Sequence, residues 1–371
     1  MKRALVPLLA AVLAACSAKT PIAVPSSPET ASPSPSVSPT ATATPMPRAR
    51  RAVVAADGAI SLYDVRADTV TELARGEGIR LPRFANRNEV SFVQDAGEGA
   101  VLRLLNVSTR AVRDVLTVTT GIRAYDWSPD RGSVAYVTVD SDGYPQVEIR
   151  DLAGDQSTFT MATLARARGR GRTISDQERV EFSADGRFLL IVFTPADGDP
   201  KEDIGVEQSQ LQVRALDGTL AFSEPNHREP TQGLWSFDAT QVFYRSDRGT
   251  RLWRTSNVDS TPIKGRGAWF NPWASPDGRT VVYDSGATDE NVEVRTVNVR
   301  NGARTTVSEA GYFHPVAADR RTVWVQRATV CEPDCLEPVV AAPEVLAIDL
   351  VNGKKRKLTL RSIVDIDVFY S

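Results

Sequence analysis

One short pattern recurs along this chain and constrains its fold more than any other feature. In the clearest copy, residues 273–283, an aromatic residue and an alanine are followed by Ser-Pro-Asp-Gly and then by an alternating apolar run. Asp277 and Gly278 suit a tight turn between two strands, because aspartate bonds its own backbone and glycine tolerates positive φ. The pattern therefore predicts a β-hairpin, which buries its faces only against neighbouring copies.

Six degenerate copies of this unit can be aligned along the chain. They occupy residues 82–93, 125–137, 180–192, 234–244, 272–283 and 314–325. Their aligned anchor positions are Phe84, Trp127, Phe182, Trp235, Trp273 and Val316, which are 43, 55, 53, 38 and 43 residues apart. A second pair of strand-like runs follows each copy. Spacing of this length, with four strands per unit, is typical of a β-propeller.

The two ends of the repeat region predict one further blade. Residues 49–73 contain three strand-like runs with no anchor before them, and residues 362–370 contain a single unpaired strand-like run. Combining them closes the ring and removes its free sheet edges. We therefore predict an all-β, seven-bladed propeller over residues 49–371, with six blades as the alternative if residues 51–73 extend a neighbouring sheet.

The repeat also resembles a known family. Tryptophan or phenylalanine, then Ser-Pro-Asp-Gly and an alternating apolar run, is similar to the WD40-like (PD40) repeat of TolB-type propellers, over roughly residues 51–371. The resemblance implies the propeller fold. It implies little about function, because one fold hosts many activities. TolB has an additional N-terminal α/β domain, whereas a different kind of segment occupies that place here.

That N-terminal segment has the pattern of an export signal. Lys2 and Arg3 precede an apolar run, residues 4–13, which is too short to span a bilayer but is typical of a signal peptide. Leu-Ala-Ala-Cys, ending at Cys16, resembles the bacterial lipobox. We predict a lipoprotein signal peptide over residues 1–15 and lipidation at Cys16, on the outer side of the cell membrane or in the outer membrane. An ordinary cleaved signal peptide with an incidental cysteine is the alternative, and it also exports the chain.

Between this anchor and the first blade, the composition changes abruptly. Most of residues 16–48 are Pro, Ser, Thr, Ala and Val. Such a composition offers too little apolar area to offset the entropy of the chain, so it predicts a disordered tether. A proline-rich segment of this length could extend about 80 Å at about 3.1 Å per residue.

The predicted loops differ between the two ends of the propeller. Turns joining the first strand to the second, and the third to the fourth, are short, whereas the other connections are long and varied. Binding sites usually lie on such loops, so we expect the site at that end. The candidate binding residues are Arg166, Arg168, Arg170, Arg172, His227, Tyr312 and His314. The four arginines suit a phosphate-bearing envelope polymer or an acidic protein; a solvated loop is the alternative.

Two loops carry further candidate chemistry. Asp197, Asp199 and Asp203 offer oxygen ligands for calcium, but their spacing does not reproduce the EF-hand, which favours a solvated loop. Cys331 and Cys335 predict a disulfide, because exported cysteines pair more readily than they bind metal. A zinc site would need further ligands, and the chain has only two histidines.

These observations favour binding over catalysis. The chain has two histidines and no Gly-x-Ser-x-Gly motif, so a serine hydrolase has neither its nucleophile motif nor its domain. The formal net charge of −2 argues against nucleic acid as a partner. We predict a monomeric, cofactor-free envelope lipoprotein whose propeller is a binding or scaffold module for a protein or an envelope polymer. The alternative is a propeller hydrolase or lyase that acts at the channel mouth, with calcium as an optional ion.

Overall fold

Seven antiparallel sheets of four strands each make up the propeller in the computed structural model. The structure describes residues 46–139, 145–153, 159–161, 179–192, 209–225, 232–246, 249–256, 260–263, 269–285, 292–308, 311–327 and 344–371. These residues belong to one unit, Pro45–Ser371. Among them, no helix is long and apolar enough to cross a membrane.

We number the blades from the N-terminus and give the strands of each from the innermost outward. Blade 1 contains β28 (Ile366–Tyr370), β1 (Ala49–Ala56), β2 (Ala59–Asp64) and β3 (Thr69–Arg75). Blade 2 contains β4 (Ile79–Asn86), β5 (Glu89–Ala96), β6 (Gly99–Asn106) and β7 (Val112–Val118). Blade 3 contains β8 (Ala124–Trp127), β9 (Ser133–Val139), β10 (Pro145–Asp151) and β11 (Phe159–Met161). Blade 4 contains β12 (Arg179–Phe182), β13 (Phe188–Val192), β14 (Ser209–Ala215) and β15 (Leu220–Pro225).

The remaining three blades follow the same plan. Blade 5 contains β16 (Gln232–Trp235), β17 (Gln241–Ser246), β18 (Gly249–Arg254) and β19 (Thr261–Pro262). Blade 6 contains β20 (Phe270–Ala274), β21 (Thr280–Ser285), β22 (Glu293–Asn298) and β23 (Arg304–Thr306). Blade 7 contains β24 (Tyr312–Ala317), β25 (Thr322–Arg327), β26 (Glu344–Asp349) and β27 (Lys355–Lys357).

Blade 1 closes the ring with strands from both ends of the propeller. The C-terminal strand β28 pairs antiparallel with β1, with Val53 opposite Asp367 and Ala52 opposite Val368. Seven blades and their closure by terminal strands are therefore confirmed, and the six-bladed alternative is wrong. This pairing leaves β28 as the innermost strand, so blade 1 lines the channel in the same way as its neighbours.

The Ser-Pro-Asp-Gly turn forms as the sequence predicts. Asp277 Oδ1 accepts hydrogen bonds from the Ser275 hydroxyl at 2.6 Å and from the Arg279 N–H at 3.0 Å. Gly278 has a φ of 63°, and the Ser275 Oγ accepts from the Thr280 N–H at 3.1 Å. The motif therefore satisfies its own polar groups locally, which allows Ser275 to be only 3% exposed.

Apolar side chains fill the spaces between neighbouring blades. Trp127 of blade 3 packs against Leu102 and Leu104 of blade 2, and its indole N–H donates to the Ser91 Oγ at 2.8 Å. Between blades 7 and 1, the rings of Trp324 and Tyr63 pack edge to face with centroids 5.7 Å apart. Each blade thus buries its faces against two others, as a ring of repeats requires.

The strand order defines two ends of the propeller. We call the end with the first-to-second and third-to-fourth strand turns the turn face, and the opposite end the loop face. Backbone hydrogen bonds join Arg48 N to Ser371 O at 3.2 Å and Ser371 N to Arg48 O at 3.0 Å, which places both propeller termini on the turn face. Most of the long connections of the loop face lie outside the described residues.

The inner strands of blades 6 and 7 depart from the predicted alignment. In blade 3, Trp127 is the last residue of the inner strand before the turn, and it pairs with Val134. In blade 6, the last residue of the inner strand is Ala274, which pairs with Val281. Trp273 therefore lies one position earlier than the anchor of blade 3. The register is irregular between Phe270 and Trp273. This irregularity precedes Trp273, so it shifts Phe270 and the residues before it. The offset of Trp273 itself arises because Ala274 separates it from Ser275.

Candidate functional site

The seven inner strands surround a cavity of about 620 Å³ along the propeller axis. All seven inner strands, with several of the turns that follow them, supply its lining. The most informative lining residue of each blade is the one directly before the position equivalent to Trp127, which is occupied by Ala274 in blade 6, Ala317 in blade 7 and Val368 in blade 1. We call this position the wall position.

The wall position divides the channel into two chemically different halves. In blades 1 to 4 it is charged, and we call this side the charged wall; its wall residues are Asp367, Arg83, Asp126 and Glu181. In blades 5 to 7 it is apolar, and we call this side the apolar wall; its wall residues are Leu234, Trp273 and Val316. The channel is therefore amphipathic across its width.

Carboxylates of the charged wall link one blade to the next. Asp367 Oδ2 of blade 1 accepts a hydrogen bond from the Phe84 N–H of blade 2 at 2.8 Å. Asp126 Oδ2 of blade 3 accepts from the Phe182 N–H of blade 4, also at 2.8 Å. Asp365 Oδ2 accepts from the Leu81 N–H at 2.5 Å. These bonds satisfy backbone donors that face the channel, so the three carboxylates have a structural task.

Charge on this wall is partly compensated. Burial opposes ionisation of Arg83, but Asp367, Asp365 and Asp126 together hold its pKa above the ordinary value. Burial raises the pKa of Asp126 to about 7, although the hydrogen bond from Phe182 and the nearby guanidinium act in the opposite direction. Burial likewise raises the pKa values of Asp365 and Asp367 against the effect of Arg83. The Arg83 guanidinium therefore lies among carboxyl groups in a wall of low dielectric.

The apolar wall continues into a group of aromatic side chains at the turn face. The Trp273 indole N–H donates to the Tyr370 hydroxyl at 2.9 Å, and that hydroxyl donates to the Ala317 carbonyl at 2.7 Å. Phe237, from the turn of blade 5, packs edge to face on Tyr370 with centroids 5.2 Å apart. Because blades 5 and 1 are not neighbours, this contact narrows the channel at the turn face. Phe237 is nevertheless 40% exposed.

A buried carboxyl group lies behind the lining of blades 6 and 7. Asp284 Oδ2 accepts from Asn271 Nδ2 at 2.8 Å and from the His314 N–H at 3.0 Å. Its Oδ1 has no hydrogen-bond partner among the described residues, and the side chain is 2% exposed. Burial raises the pKa of Asp284 to about 7. Asn271 and His314 both precede proline and have φ values of 45° and 51°, so the backbone is strained at this place.

The predicted site residues do not all meet in the channel. His314 lines it, and burial lowers the pKa of His314 to about 4, so the ring is neutral at pH 7. Tyr312 instead packs between blades with Val294 and Val325. The other predicted residues lie outside the described residues: Cys16, Arg166, Arg168, Arg170, Arg172, Asp197, Asp199, Asp203, His227, Cys331 and Cys335. Within the described ranges, no group of three or more His, Cys, Asp or Glu could hold a metal ion.

Sequence reasoning missed the charged wall. The sequence does carry a signal for it, because Arg83, Asp126 and Glu181 each directly precede an aromatic anchor. Charged residues next to a buried aromatic in an inner strand indicate groups that face a channel. The corresponding residue of blade 1, Asp367, precedes a valine and has no such marker.

Comparison with known proteins supports the fold. No family model matches the chain, and no curated protein matches it. Similar solved structures include TolB from Acinetobacter baumannii, at 14% identity and a TM-score of 0.46, covering 85% of this chain and 80% of that one. A TolB protein is thus among the structural neighbours, and the propeller fold that the resemblance implies is shown by the seven four-stranded sheets.

Two further neighbours have higher structural similarity. The tricorn protease is 14% identical with a TM-score of 0.56, covering 90% of this chain and 36% of its own. An oligogalacturonate lyase in complex with manganese is 13% identical with a TM-score of 0.53, covering 81% of both chains. At these identities the likeness concerns the fold alone.

Proposed function

We propose that this protein is a lipid-anchored lipoprotein of the cell envelope whose propeller binds an extended segment of a partner protein in its channel. The observation that carries the proposal is the division of the channel into a charged wall and an apolar wall. An extended peptide presents side chains to opposite sides, so an amphipathic segment can place polar groups on one wall and apolar groups on the other.

The apolar wall supplies the surface on which such a segment can gain binding energy. Trp273 is half-buried, and Phe237 is 40% exposed, although both line the cavity. Exposed aromatic surface in a concave site is typical of positions that contribute strongly to binding. A polymer whose contacts are mainly phosphate groups would not match these apolar rings, which favours a protein partner.

The charged wall contributes orientation more than affinity. Two of its carboxylates, Asp367 and Asp126, and the neighbouring Asp365 already accept backbone N–H groups of the next blade. Arg83 lies among these carboxylates, and its Nη1 donates to the Pro82 carbonyl at 3.1 Å. A guanidinium held in place by its neighbours can pair with a carboxylate of the incoming segment and so fix its register.

The alternative is a hydrolase or lyase that acts at the channel mouth. The peptidases and the lyase among the structural neighbours share the fold, and their activities are those proteins' own. Within the described residues, most carboxylates of the channel are engaged in bonds between blades. Binding is therefore the function that this geometry supports best.

Photocrosslinking in cells tests the proposal. A benzophenone amino acid replaces Val364, which lines the channel beside the start of β28 and is 56% exposed. The matched control replaces Leu220, which is 48% exposed on the outer strand β15. We expect a discrete protein adduct from position 364 that is absent from position 220. Equal adducts from both positions, or none from position 364, would refute channel binding.

Lipid anchoring needs a separate measurement. Mass spectrometry of the mature N-terminus should find a diacylated or triacylated Cys16. An unmodified Cys16 would refute the anchor without affecting the channel proposal.

A further inference from the structure

Both propeller termini lie on the turn face, beside blade 7. In addition to the bonds between Arg48 and Ser371, the Ala49 N–H donates to the Ala318 carbonyl at 2.8 Å. The sequence before Pro47, which includes the predicted anchor at Cys16, therefore joins the propeller at the turn between β24 and β25. The face from which the chain continues towards Cys16 is opposite the loop face.

Five exposed arginines surround this point, and we call them the arginine collar. They are Arg48 and Arg50 at the start of the propeller, Arg66 in the turn after β2, and Arg320 and Arg321 in the turn after β24. The Val65 N–H donates to the Arg50 carbonyl at 3.1 Å, which brings the β2–β3 turn beside the N-terminal segment. Arginines distant in sequence are thus collected at one place by the closure of the ring.

Four carboxylates lie in the same region, and each is engaged in local bonds. Asp64 Oδ1 accepts from the Arg66 and Ala67 N–H groups, both at 2.9 Å. Asp319 Oδ1 accepts from the Arg321 N–H at 2.7 Å and from the Thr322 N–H at 2.9 Å. The other two are Asp349, whose Oδ1 accepts from the Val351 N–H at 2.7 Å, and Asp68, which pairs with Arg356 at 3.0 Å. The five collar arginines, together with Lys354 and Arg356 of the same region, outnumber these four carboxylates and leave a positive excess.

The collar arginines are also available for an external partner. Within the part of the chain that the structure describes, none of the five forms an ion pair with a side-chain carboxylate. Only Arg50 makes a side-chain hydrogen bond, from its Nε to the Ser371 Oγ at 3.1 Å. Exposed guanidinium groups that form no ion pair with a side-chain carboxylate suit phosphate, which they bind through two parallel hydrogen bonds.

An exposed apolar side chain adjoins the collar. Val351, in the turn after β26, is 70% exposed, and the neighbouring Leu350 N–H donates to the Arg321 carbonyl at 2.7 Å. Arginines beside an exposed valine match the interface of an anionic membrane, where phosphate groups lie next to apolar chains. A soluble polyanion would match the arginines alone.

We infer that the arginine collar contacts anionic lipid headgroups and holds the turn face towards the membrane, so that the loop face points outward. The inference rests on the proposed lipid anchor at Cys16. An anchor confines the propeller near the bilayer, and a contact too weak to bind free protein can then orient tethered protein, because its effective concentration is high. The collar thereby presents the channel mouth on the loop face to an incoming partner segment.

Quenching of a site-specific fluorophore measures this orientation. The lipidated full chain, with Cys331 and Cys335 replaced by serine, carries a bimane label at Val351→Cys on the turn face or at Val364→Cys on the loop face. It is bound to phosphatidylcholine vesicles that contain nitroxide-labelled headgroups, with or without phosphatidylglycerol. With phosphatidylglycerol, we expect quenching at position 351 to exceed quenching at position 364 about threefold, and the difference to disappear at high salt.

A charge-matched pair of variants assigns the effect to the collar. Replacing Arg48, Arg50, Arg320 and Arg321 together by glutamine should remove the difference between the two labels. The control set replaces four other arginines by glutamine and should preserve the difference between the labels. These arginines are exposed in turns of the same face, and they are Arg110, Arg187, Arg279 and Arg300. Equal loss in both sets would refute the collar as the contact.

Remaining outcomes separate the inference from the proposed anchor. Failure of the protein to float with the vesicles shows that the anchor is missing. Flotation with equal quenching at both positions shows that the propeller has no preferred orientation, and this overturns the inference alone. A third outcome is that phosphatidylglycerol has no effect on quenching, whereas polyphosphate binds the collar. This result would assign the arginines to a soluble polymer and would also overturn the inference.

Discussion

The charged wall and the apolar wall occupy equivalent positions of the same repeat, yet they use their side chains differently. Carboxylates at the charged wall accept backbone N–H groups of the next blade, so much of their hydrogen-bonding capacity is consumed inside the protein. On the opposite side, Trp273 and Phe237 keep part of their ring surface exposed to the channel. The comparison teaches that the more polar side mainly stabilises the ring, whereas the apolar side retains unused surface for a ligand.

Removing a carboxylate from the charged wall should have the largest effect. Asp367→Ala leaves the Phe84 N–H without its acceptor and removes a negative charge next to Arg83. We expect the free energy of unfolding to fall by about 3 kcal/mol, because a buried charge loses its partner and a buried donor its acceptor. Urea denaturation measures the loss.

A control on the same wall sharpens this prediction. Glu181 pairs with Arg179 at 3.4 Å, and both side chains remain about one third exposed, so Glu181→Ala should cost less than about 1 kcal/mol. Asp367→Asn, which keeps an oxygen acceptor, should fall between the two. Equal losses for Asp367→Ala and Glu181→Ala would show that the carboxylates do not link the blades.

The buried carboxyl of Asp284 predicts a pH-dependent effect. Its pKa is about 7 in the folded protein and near 3.8 when unfolded, so the folded state binds the extra proton. The protonated Asp284 carboxyl therefore contributes to the free energy of unfolding. This contribution is fully present below pH 3.8 and is lost as the pH rises through 7. Asp284→Asn removes this loss, because asparagine does not ionise. The free energy of unfolding of the variant should be nearly equal to that of wild type at pH 4 and exceed it by about 2 kcal/mol at pH 8.

His314 provides the control of opposite sign. Burial lowers the pKa of His314 to about 4, so the folded state holds the neutral ring. The contribution of this neutral ring to the free energy of unfolding is present above pH 6.5 and is lost as the pH falls from there towards 4. His314→Asn, which suits the positive φ, should therefore gain stability relative to wild type only at acid pH. Thermal unfolding between pH 4 and pH 8 distinguishes the two variants. A gain for Asp284→Asn that does not depend on pH would contradict the assigned ionisation.

These predictions also show how far the sequence could lead. The hairpins, the seven blades and the closing pair of β28 and β1 follow from local turn chemistry and from the two incomplete ends. The register of β20 and β24 could not be read in the same way, because Asn271 and His314 adopt positive φ before proline and shift what precedes them. Tyr312 therefore looked equivalent to His314 as a site residue but packs between blades.

A smaller effect is expected where the apolar wall meets blade 1. Trp273→Phe keeps the ring but removes the hydrogen bond to the Tyr370 hydroxyl, which still donates to Ala317. The cost should be about 1 kcal/mol, the usual net value of one hydrogen bond. Trp127→Phe, which removes a buried indole hydrogen bond to Ser91, should cost more. Calorimetry of both variants makes the comparison.

The smallest effect on stability, and the largest on binding, should come from Phe237. Its ring is 40% exposed and contacts Tyr370 from a turn, so Phe237→Ser should change the free energy of unfolding by less than about 1 kcal/mol. Adduct formation from the benzophenone at position 364 should nevertheless fall severalfold, since the apolar wall loses exposed aromatic surface. Leu216→Ser, at a similarly exposed residue away from the channel, should change neither quantity. If Phe237→Ser destabilised the propeller as much as Asp367→Ala, the aromatic ring would be structural, and the two walls would not differ in the way proposed.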